Sequence, residues 1–233
     1  MMGTVQPANV AVVILNWNGQ HHLETYLPSV LEHTPSDTRV WVVDNGSTDS
    51  TASIAAQHGA HVLQEPVKGY GLACQKGIEA ATEGGFDVVV ILDGDHSFEP
   101  AQMTRLVGPI LAGKADMVLG DRTETAEPDA LTLPQRFGNR VATEMIRVFS
   151  GHQYRDMGPF RAVTTKGLAT MNMQDPNYGW NVEMQMKAAL QGLRVAEVPV
   201  RYRPRLGQSK ISGTVMGSIR AGVKILRATR RYW

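Results

Sequence analysis

Cysteine is almost missing from this chain of 233 residues, which contains only Cys74. One thiol cannot form an internal disulfide or supply a cysteine-based zinc cluster. No apolar run approaches the roughly 18 residues of a membrane-spanning helix, and the longest runs, residues 10–15 and 88–92, are strand-sized. The first nine residues lack the basic segment and apolar run of a signal peptide. We therefore expect a cytoplasmic protein.

Net charge is also nearly absent, because 23 Lys and Arg are balanced by 22 Asp and Glu. This balance hides an uneven distribution. Residues 194–233 carry ten Lys and Arg and one acidic residue, a charge of +9, whereas residues 1–193 carry −8. Such a split indicates a localised anionic partner, such as a phosphate group or a membrane surface, and we expect no nucleic-acid partner.

The composition, 42% hydrophobic and 19% charged, is that of a globular chain. Short apolar runs end in turns rich in Gly, Asn or Asp, and most are followed by helical spacing. Strands are predicted at 10–15, 40–43, 61–63, 87–92, 116–119, 156–163 and 195–200. Helices are predicted at 20–32, 52–58, 70–82, 100–111, 135–149 and 179–190. This alternation predicts an α/β fold, a Rossmann-like domain with a mainly parallel central sheet flanked by helices.

Polar side chains follow several of the predicted strands, where parallel sheets bind their ligands. Asp93 and Asp95 flank Gly94 directly after a buried strand, and Gly94 allows the kink that turns both carboxylates toward one point. Carboxylate oxygens suit Mg²⁺ or Mn²⁺, and such ions keep open positions for substrate phosphates. The simpler alternative is a turn with two solvated aspartates.

Two further turns are candidates for binding a nucleotide. Asp44 ends the second strand, where its carboxylate could accept hydrogen bonds from a base or a ribose. A dinucleotide-binding dehydrogenase also places an acid there, but its first turn needs Gly-x-Gly-x-x-Gly and this chain has Asn16-Trp17-Asn18-Gly19. Lys68-Gly69-Tyr70-Gly71 predicts a loop at a helix N-terminus suited to a diphosphate or a sugar, with a plain helix cap as the alternative.

In this order, the motifs at 15–19, 43–49, 68–71 and 92–95 resemble the family 2 inverting glycosyltransferases of GT-A fold. The segments 156–161, 178–183 and 205–210 look like the branch that contains polyprenyl- and dolichyl-phosphate hexosyltransferases. The resemblance covers residues from about 10 to about 215. It implies a single GT-A domain over residues 1–233, with a nucleotide-sugar-binding half (8–120), an acceptor-binding half (121–211) and a C-terminal helix (212–233).

The resemblance also implies roles for individual residues. Asp44 would bind the base of a UDP- or GDP-linked sugar, assisted by the main chain near Leu15 and Asn16. Asp93 and Asp95 would hold the divalent cation, with Asp95 as the more direct ligand and Gly94 between them. Apart from the resemblance, the loop pattern itself makes Lys68, Gly69 and Gly71 candidates for binding a diphosphate or a sugar. The remaining residues would form the sugar and acceptor pocket or neutralise phosphate: Asp156, Arg161, Trp180, Arg205, Ser209 and Lys210.

This chain departs from the family pattern at the catalytic base. Many members carry a Glu-Asp pair at the start of a late helix, and residues 178–183 here contain only Glu183. Glu183 is therefore a candidate base, with support of the helix and pocket as its alternative. If the acceptor is a phosphate already ionised at neutral pH, no base is needed.

Residues 212–233 are predicted to form a basic amphipathic helix ending in Tyr232 and Trp233. Such a helix can lie on an anionic membrane, and peripheral attachment to the inner face of the membrane is therefore one hypothesis. Packing on the domain or a contact in a homo-oligomer are the alternatives. The leading hypothesis is hexose transfer to a polyprenyl or dolichyl phosphate. A hydroxyl acceptor with Glu183 as base and a non-catalytic nucleotide-sugar-binding module are the other two.

Overall fold

The computed structural model describes residues 9–204. The predicted phosphate-binding residues Arg205, Ser209 and Lys210 and the predicted helix at 212–233 lie outside the described residues. Among residues 9–204, no helix combines the length and the apolar character needed to cross a membrane.

Strands and helices alternate through the described part of the chain. The strands are β1 (Val10–Asn16), β2 (Arg39–Asp44), β3 (His61–Gln64), β4 (Val88–Asp93), β5 (Met117–Asp121), β6 (Arg161–Thr164) and β7 (Val195–Pro199). The helices are α1 (Gln20–Glu32), α2 (Thr51–Gln57), α3 (Tyr70–Glu83), α4 (Met103–Leu111), α5 (Leu133–Ser150), α6 (Thr165–Met171) and α7 (Trp180–Leu190). A short 3-10 helix, Pro100–Gln102, leads into α4.

These bounds confirm most of the predicted elements to within one or two residues. The strand predicted at 156–163 is wrong in its first half, since β6 begins only at Arg161. Asp156 precedes it in irregular backbone, where its carboxylate bonds to Arg122 and its main chain bonds to side chains. The sequence interpretation also missed α6, which begins after Thr164, whose hydroxyl accepts a hydrogen bond from the Gly167 amide at 3.0 Å.

The strands form one seven-stranded sheet in the order β3-β2-β1-β4-β6-β5-β7. β6 is antiparallel to both β4 and β5, and the other neighbouring pairs are parallel. Because β6 reverses direction between β4 and β5, the carboxyl end of β5 lies at the same edge of the sheet as those of β1, β2 and β4. This edge is where ligands bind in open parallel sheets.

Alternating side chains of the central strands enter different cores on the two faces of the sheet, as the two-residue period of a strand requires. From β1, Val12 and Ile14 pack on one face with Leu23 of α1, among other residues. Ala11 and Val13 pack on the other face with residues of α3, α5, α6 and α7. Burial on both faces explains why β1 is continuously apolar.

The start of α3 packs closely against residues 175–177, which precede α7. A Cβ atom on Gly71 would lie 1.9 Å from the carbonyl oxygen of Asp175, and a Cβ on Gly69 would lie 2.3 Å from that of Pro176. The Leu72 amide also donates a hydrogen bond to the Pro176 carbonyl at 3.2 Å. Both glycines therefore allow two stretches of backbone to approach where a larger residue would separate them.

We predict that Gly71→Ala lowers the free energy of unfolding by about 2–3 kcal/mol, because the added methyl group must displace backbone rather than a flexible side chain. Gly108→Ala in α4 is the matched control, since a Cβ there meets no atom within 4 Å. The control should raise stability by up to about 1 kcal/mol through helix propensity. Urea unfolding followed by circular dichroism measures both, and a neutral Gly71→Ala would contradict the close approach.

Candidate active site

Asn16, Asp44 and Asp93 meet at the carboxyl edge of three adjacent parallel strands. Asn16 is paired in register with Asp44, and Leu15 with Asp93. Asn16 and Asp44 are 7% and 8% exposed, so their polar groups border the core while facing the edge of the sheet. The structure thus confirms that the residues predicted from separate strand ends come together, and their individual roles stay predictions.

The turn after β4 passes tightly over the end of β1. The Gly94 amide donates to the Leu15 carbonyl at 3.0 Å, and a Cβ on Gly94 would lie 2.8 Å from the Asn16 side-chain nitrogen. A Cβ on Gly19 would lie 2.6 Å from Asn16 Oδ1. The two glycines leave room for the Asn16 amide, whose Oδ1 is buried and has no hydrogen-bond partner. A buried acceptor of this kind is available to a ligand.

Asp93 and Asp95 lie close enough to act on the same neighbouring side chain. Asp95 Oδ1 accepts hydrogen bonds from the Ser97 amide at 3.1 Å and the Ser97 hydroxyl at 2.5 Å. Burial, followed by the negative charges of Asp95 and Asp93, raises the pKa of Tyr26 far above its usual value. The Tyr26 hydroxyl donates to the Phe98 carbonyl at 3.0 Å, so it stays protonated beneath the two carboxylates.

Asp93 is also supported from the side of α3. Burial and the nearby carboxylate of Asp93 hold the pKa of Tyr70 well above its usual range, and the Tyr70 hydroxyl donates a hydrogen bond to Asp93. Burial likewise raises the pKa of the Cys74 thiol, which keeps the one cysteine of the chain protonated and unreactive. The Asp93 carboxylate therefore rests on a fixed donor.

The donor set at this edge fits a divalent cation that binds together with its substrate. Asp93 and Asp95 are both half-buried and open to the edge. In residues 9–204, no group of three His, Cys, Asp or Glu residues could enclose a metal ion on its own. Mg²⁺ and Mn²⁺ accept one or two carboxylates and complete their coordination with water and phosphate oxygens. The residues present therefore suit such an ion when a diphosphate supplies the remaining oxygens.

The loop predicted to hold a diphosphate is fixed to the end of β2. Asn45 Oδ1 accepts from the Gly69 amide at 2.9 Å, and Asn45 Nδ2 donates to the Val67 carbonyl at 2.8 Å. The Lys68 ammonium lies 4.7 Å from the centre of the Trp17 ring. The glycines are explained by the close backbone at 175–177, so a diphosphate contact at Gly69 and Gly71 stays a prediction.

The end of β5 contributes a buried ion pair to the same edge. The Asp156 carboxylate is 1% exposed and accepts three hydrogen bonds from Arg122, from the backbone amide at 2.9 Å, Nε at 2.7 Å and Nη2 at 2.8 Å. The main chain of Asp156 is held as well, its amide by Glu197 of β7 and its carbonyl by Gln185 of α7. Asp156 therefore connects β5, β7 and α7.

A cavity of about 490 Å³ opens beside this ion pair, between α5 and the start of α7. The lining residues lie after the end of β5, on and just before α5, in the segment before β6 and around the start of α7. They are Arg122, Thr123, Leu131, Gln135, Arg136, Gly138, Asn139, Arg140, Ala142, Thr143, Arg155, Asp156, Met157, Tyr178, Asn181 and Val182. Four of these residues are arginines and one is acidic, so the lining carries an excess of positive charge.

The excess charge comes mainly from α5. Arg122 is neutralised by Asp156, and Arg155 Nε lies 3.1 Å from Asp121 Oδ2. Arg136 and Arg140 remain, one helical turn apart on α5. The position of α5 is fixed by Asn139, whose Oδ1 accepts from the Met157 amide at 2.8 Å and whose Nδ2 donates to the Arg155 carbonyl at 3.0 Å.

Three predicted site residues are buried beneath the site. Arg161 and Trp180 are 0% and 1% exposed. The Arg161 side chain donates a hydrogen bond to the Gly158 carbonyl, and burial lowers the pKa of the Arg161 guanidinium. Glu183 is also 0% exposed. In this conformation these side chains support the segments that line the cavity and do not themselves face it.

Glu183 has the surroundings of a structural carboxylate. It accepts hydrogen bonds from the Gln174 amide at 2.8 Å and the Asp175 amide at 2.6 Å, and Lys187 Nζ lies 2.7 Å from Glu183 Oε1. The two amide contacts hold the loop that packs on Gly71, and the Lys187 contact lies within α7. The arrangement favours the alternative stated for Glu183, support of the helix and pocket.

Sequence interpretation missed the cavity residues Arg122, Arg136, Arg140 and Arg155, and it missed Asp121, which pairs with Arg155 beside the cavity. Asp121 had a detectable signal, because it follows a buried strand as Asp44 and Asp93 do. The arginines on α5 gave no such signal in the sequence, since basic residues on an amphipathic helix normally face solvent.

Comparison with solved structures identifies the fold class. The chain superimposes on glucosyl-3-phosphoglycerate synthase from Mycobacterium tuberculosis in complex with Mn²⁺, uridine diphosphate and glucosyl-3-phosphoglycerate, with a TM-score of 0.74 and 19% sequence identity over 95% of this chain and 80% of that one. At this identity the likeness shows the fold alone, which is the α/β GT-A fold predicted from the sequence.

The chain belongs to glycosyl transferase family 2, because the model of that family matches residues 11–169. It is 38% identical over 199 residues to an uncharacterised glycosyltransferase of Mycobacterium tuberculosis, covering 84% of this chain and 88% of that protein. It is 29% identical over 220 residues to the undecaprenyl-phosphate mannosyltransferase of Micrococcus luteus, covering 89% of each. The chain is thus a glycosyltransferase, and its resemblance to the polyprenyl-phosphate branch is confirmed.

We predict that Asp156→Asn lowers the free energy of unfolding by about 3–5 kcal/mol, because it leaves the Arg122 guanidinium without its counter-charge in a buried position. Glu144→Gln is the control, since it removes the acidic member of an exposed pair with Arg147. The control should change the free energy of unfolding very little, because solvent screens an exposed ion pair. Chemical denaturation measures both, and equal losses would show that burial adds nothing to the Asp156 pair.

Proposed function

We propose that this glycosyltransferase moves a hexose, with inversion, from a UDP- or GDP-linked sugar to a polyprenyl or dolichyl phosphate. The observation that carries the proposal is the arginine-rich cavity at the same sheet edge as Asp93 and Asp95. A cationic cavity suits an anionic acceptor, and a relative is named as an undecaprenyl-phosphate mannosyltransferase.

The donor would bind at the ends of β1, β2 and β4. Asp44 Oδ1 accepts a hydrogen bond from the Ser47 amide at 3.0 Å, which fixes the carboxylate that would bind the base. Asn16 Oδ1, buried and without a partner, would accept a hydrogen bond from the base or ribose. The backbone near Leu15 would complete this subsite, and Lys68 would contact the diphosphate.

Asp93 and Asp95 would hold Mg²⁺ or Mn²⁺ with the diphosphate. Such an ion neutralises the charge that develops on the leaving nucleoside diphosphate. The chain prepares this site through the hydrogen bonds that Tyr70 gives to Asp93 and Ser97 gives to Asp95. Fixed carboxylates need no rearrangement when the donor binds, which favours the transition state.

The acceptor phosphate would be held by Arg136 and Arg140 at the mouth of the cavity, with Arg205, Ser209 and Lys210 as further predicted contacts. A phosphate monoester is largely ionised at neutral pH, since its second pKa is about 6. Its oxygen can attack without losing a proton to a protein base. The buried and fully bonded state of Glu183 is consistent with such an acceptor.

We predict that Asp95→Asn reduces transfer by about a hundredfold to a thousandfold, because electrostatic stabilisation of the leaving group is usually a large contribution. Asn can still accept from Ser97, so the fold should persist. Asp37→Asn, at an exposed position before β2, is the matched control and should keep full activity. Release of the nucleoside diphosphate is the assay. Full activity of Asp95→Asn, or of the wild type in excess chelator, would remove the metal from the proposal.

Glu183→Gln distinguishes a phosphate acceptor from a hydroxyl acceptor. With a phosphate acceptor we expect turnover per folded molecule to fall less than about tenfold, whereas loss of a general base would cost about a hundredfold or more. The folded fraction must be measured by circular dichroism in parallel, because the change also weakens the buried contact with Lys187. A large loss of turnover in folded protein would favour a hydroxyl acceptor, and any transfer by the wild type excludes a non-catalytic module.

A further inference from the structure

Helix α5 exposes an apolar surface on the side that faces away from the core. Leu133, Phe137, Val141 and Val148 are 81%, 71%, 41% and 66% exposed. At about 100° per residue these four side chains fall within an arc of roughly 80° on the helix. The buried residues of α5, such as Ala142 and Ile146, lie on the opposite side. We call the four exposed residues the α5 stripe.

A row of arginines borders the α5 stripe. Arg136, Arg140 and Arg147 are exposed and recur at intervals of four and seven residues, so they lie along one side of the stripe. The one acidic residue of α5, Glu144, is paired with Arg147. An outward apolar face with a basic border is the composition of helices that lie in the interface of an anionic membrane.

The α5 stripe also adjoins the cavity. Arg136 and Arg140 belong to the arginine row and to the cavity lining, while the four stripe residues lie outside that lining. A lipid-linked phosphate keeps its chain in the bilayer, so a cavity that receives it must open at the membrane surface. Helix α5 meets this requirement, because the same helix presents the cavity arginines and the apolar side chains.

We propose that the α5 stripe is a membrane-docking surface that inserts into the interface of an anionic bilayer and places the cavity mouth at the lipid headgroups. This inference rests on the proposed lipid-phosphate acceptor and concerns a part of the chain other than residues 212–233. The helix lies along the interface, with its apolar side chains among the acyl chains and its arginines at the phosphates. The bilayer would cover the apolar area that otherwise faces water.

Vesicle binding of the full-length chain tests this surface. The probe is vesicles of phosphatidylglycerol and phosphatidylcholine, without donor or acceptor. Leu133→Gln combined with Phe137→Gln should weaken co-sedimentation by at least about tenfold, because the interaction scales with the buried apolar area. Leu111→Gln combined with Leu190→Gln is the matched control, since these leucines are 44% and 47% exposed at the ends of α4 and α7. Equal binding by the two double variants would overturn the proposal.

A fluorescent label distinguishes a bilayer from other ways of covering the α5 stripe. Cys74 is buried, so an environment-sensitive dye can be attached selectively to Phe137→Cys or to the control Leu111→Cys. Emission should rise on addition of vesicles at position 137 only, and should fall again as salt screens the arginines. Strong emission without vesicles would show that another segment of the chain or a second copy covers the surface, and would overturn the proposal.

Transfer to a short-chain, water-soluble prenyl phosphate separates this inference from the proposed function. The Leu133→Gln/Phe137→Gln variant should act on that substrate as the wild type does, and should lose activity only toward a long-chain acceptor in vesicles. If the wild type transfers no sugar to either phosphate, the proposed function fails while the vesicle-binding result still stands. Equal loss on both substrates would overturn the docking role.

Discussion

The buried pair of Asp156 and Arg122 holds together the walls of the cavity beside α5, which is the acceptor side in the proposed function. The Asp156 carboxylate fixes the end of β5, while the Asp156 main chain is hydrogen-bonded to Glu197 of β7 and Gln185 of α7. Burial of Glu197 raises its pKa, although amides of Arg155 and Asp156 stabilise its charged form. In a low-dielectric interior, separating a charged group from its partner costs several kcal/mol of folding free energy. The cavity walls thereby take one defined arrangement.

The proposed donor side, at the ends of β1, β2 and β4, could be predicted from the sequence because each of its features depends on a short stretch of the chain. Each strand there is a short apolar run, each ends in a polar turn, and parallel strands necessarily bring such turns to one edge. Asn16, Asp44 and Asp93 follow this rule, and their register confirms it. The two-residue and 3.6-residue periods likewise placed most of the strands and helices to within a few residues.

The acceptor side could not be predicted in the same way, because it depends on contacts between residues distant in sequence. The backbone before Arg161 carries no strand partner, and only the fold shows that Arg122 neutralises Asp156.

 

Gly71 suggested a phosphate loop, whereas its small size is explained by the close approach of the Asp175 carbonyl. Glu183 suggested a base, yet the amides that occupy its carboxylate belong to a loop eight and nine residues earlier in the chain. In each case the residue type suggested a chemical role, whereas the packing accounts for the same residue as a structural support, and the chemical role stays a prediction.

The charge distribution links the two sides of the site. In the proposed function the acidic strand ends would hold a cation together with the donor's diphosphate, while arginines of α5 line the cavity that would receive the acceptor. An ionised phosphate acceptor reacts without a protein base, so positioning and electrostatic stabilisation are what the chain must supply. Among residues 9–204, the one carboxylate in the cavity lining is that of Asp156, which is buried and neutralised by Arg122. This arrangement agrees with that requirement. Unpaired acid there would repel the acceptor, and the buried ion pair removes that repulsion while it holds the cavity open.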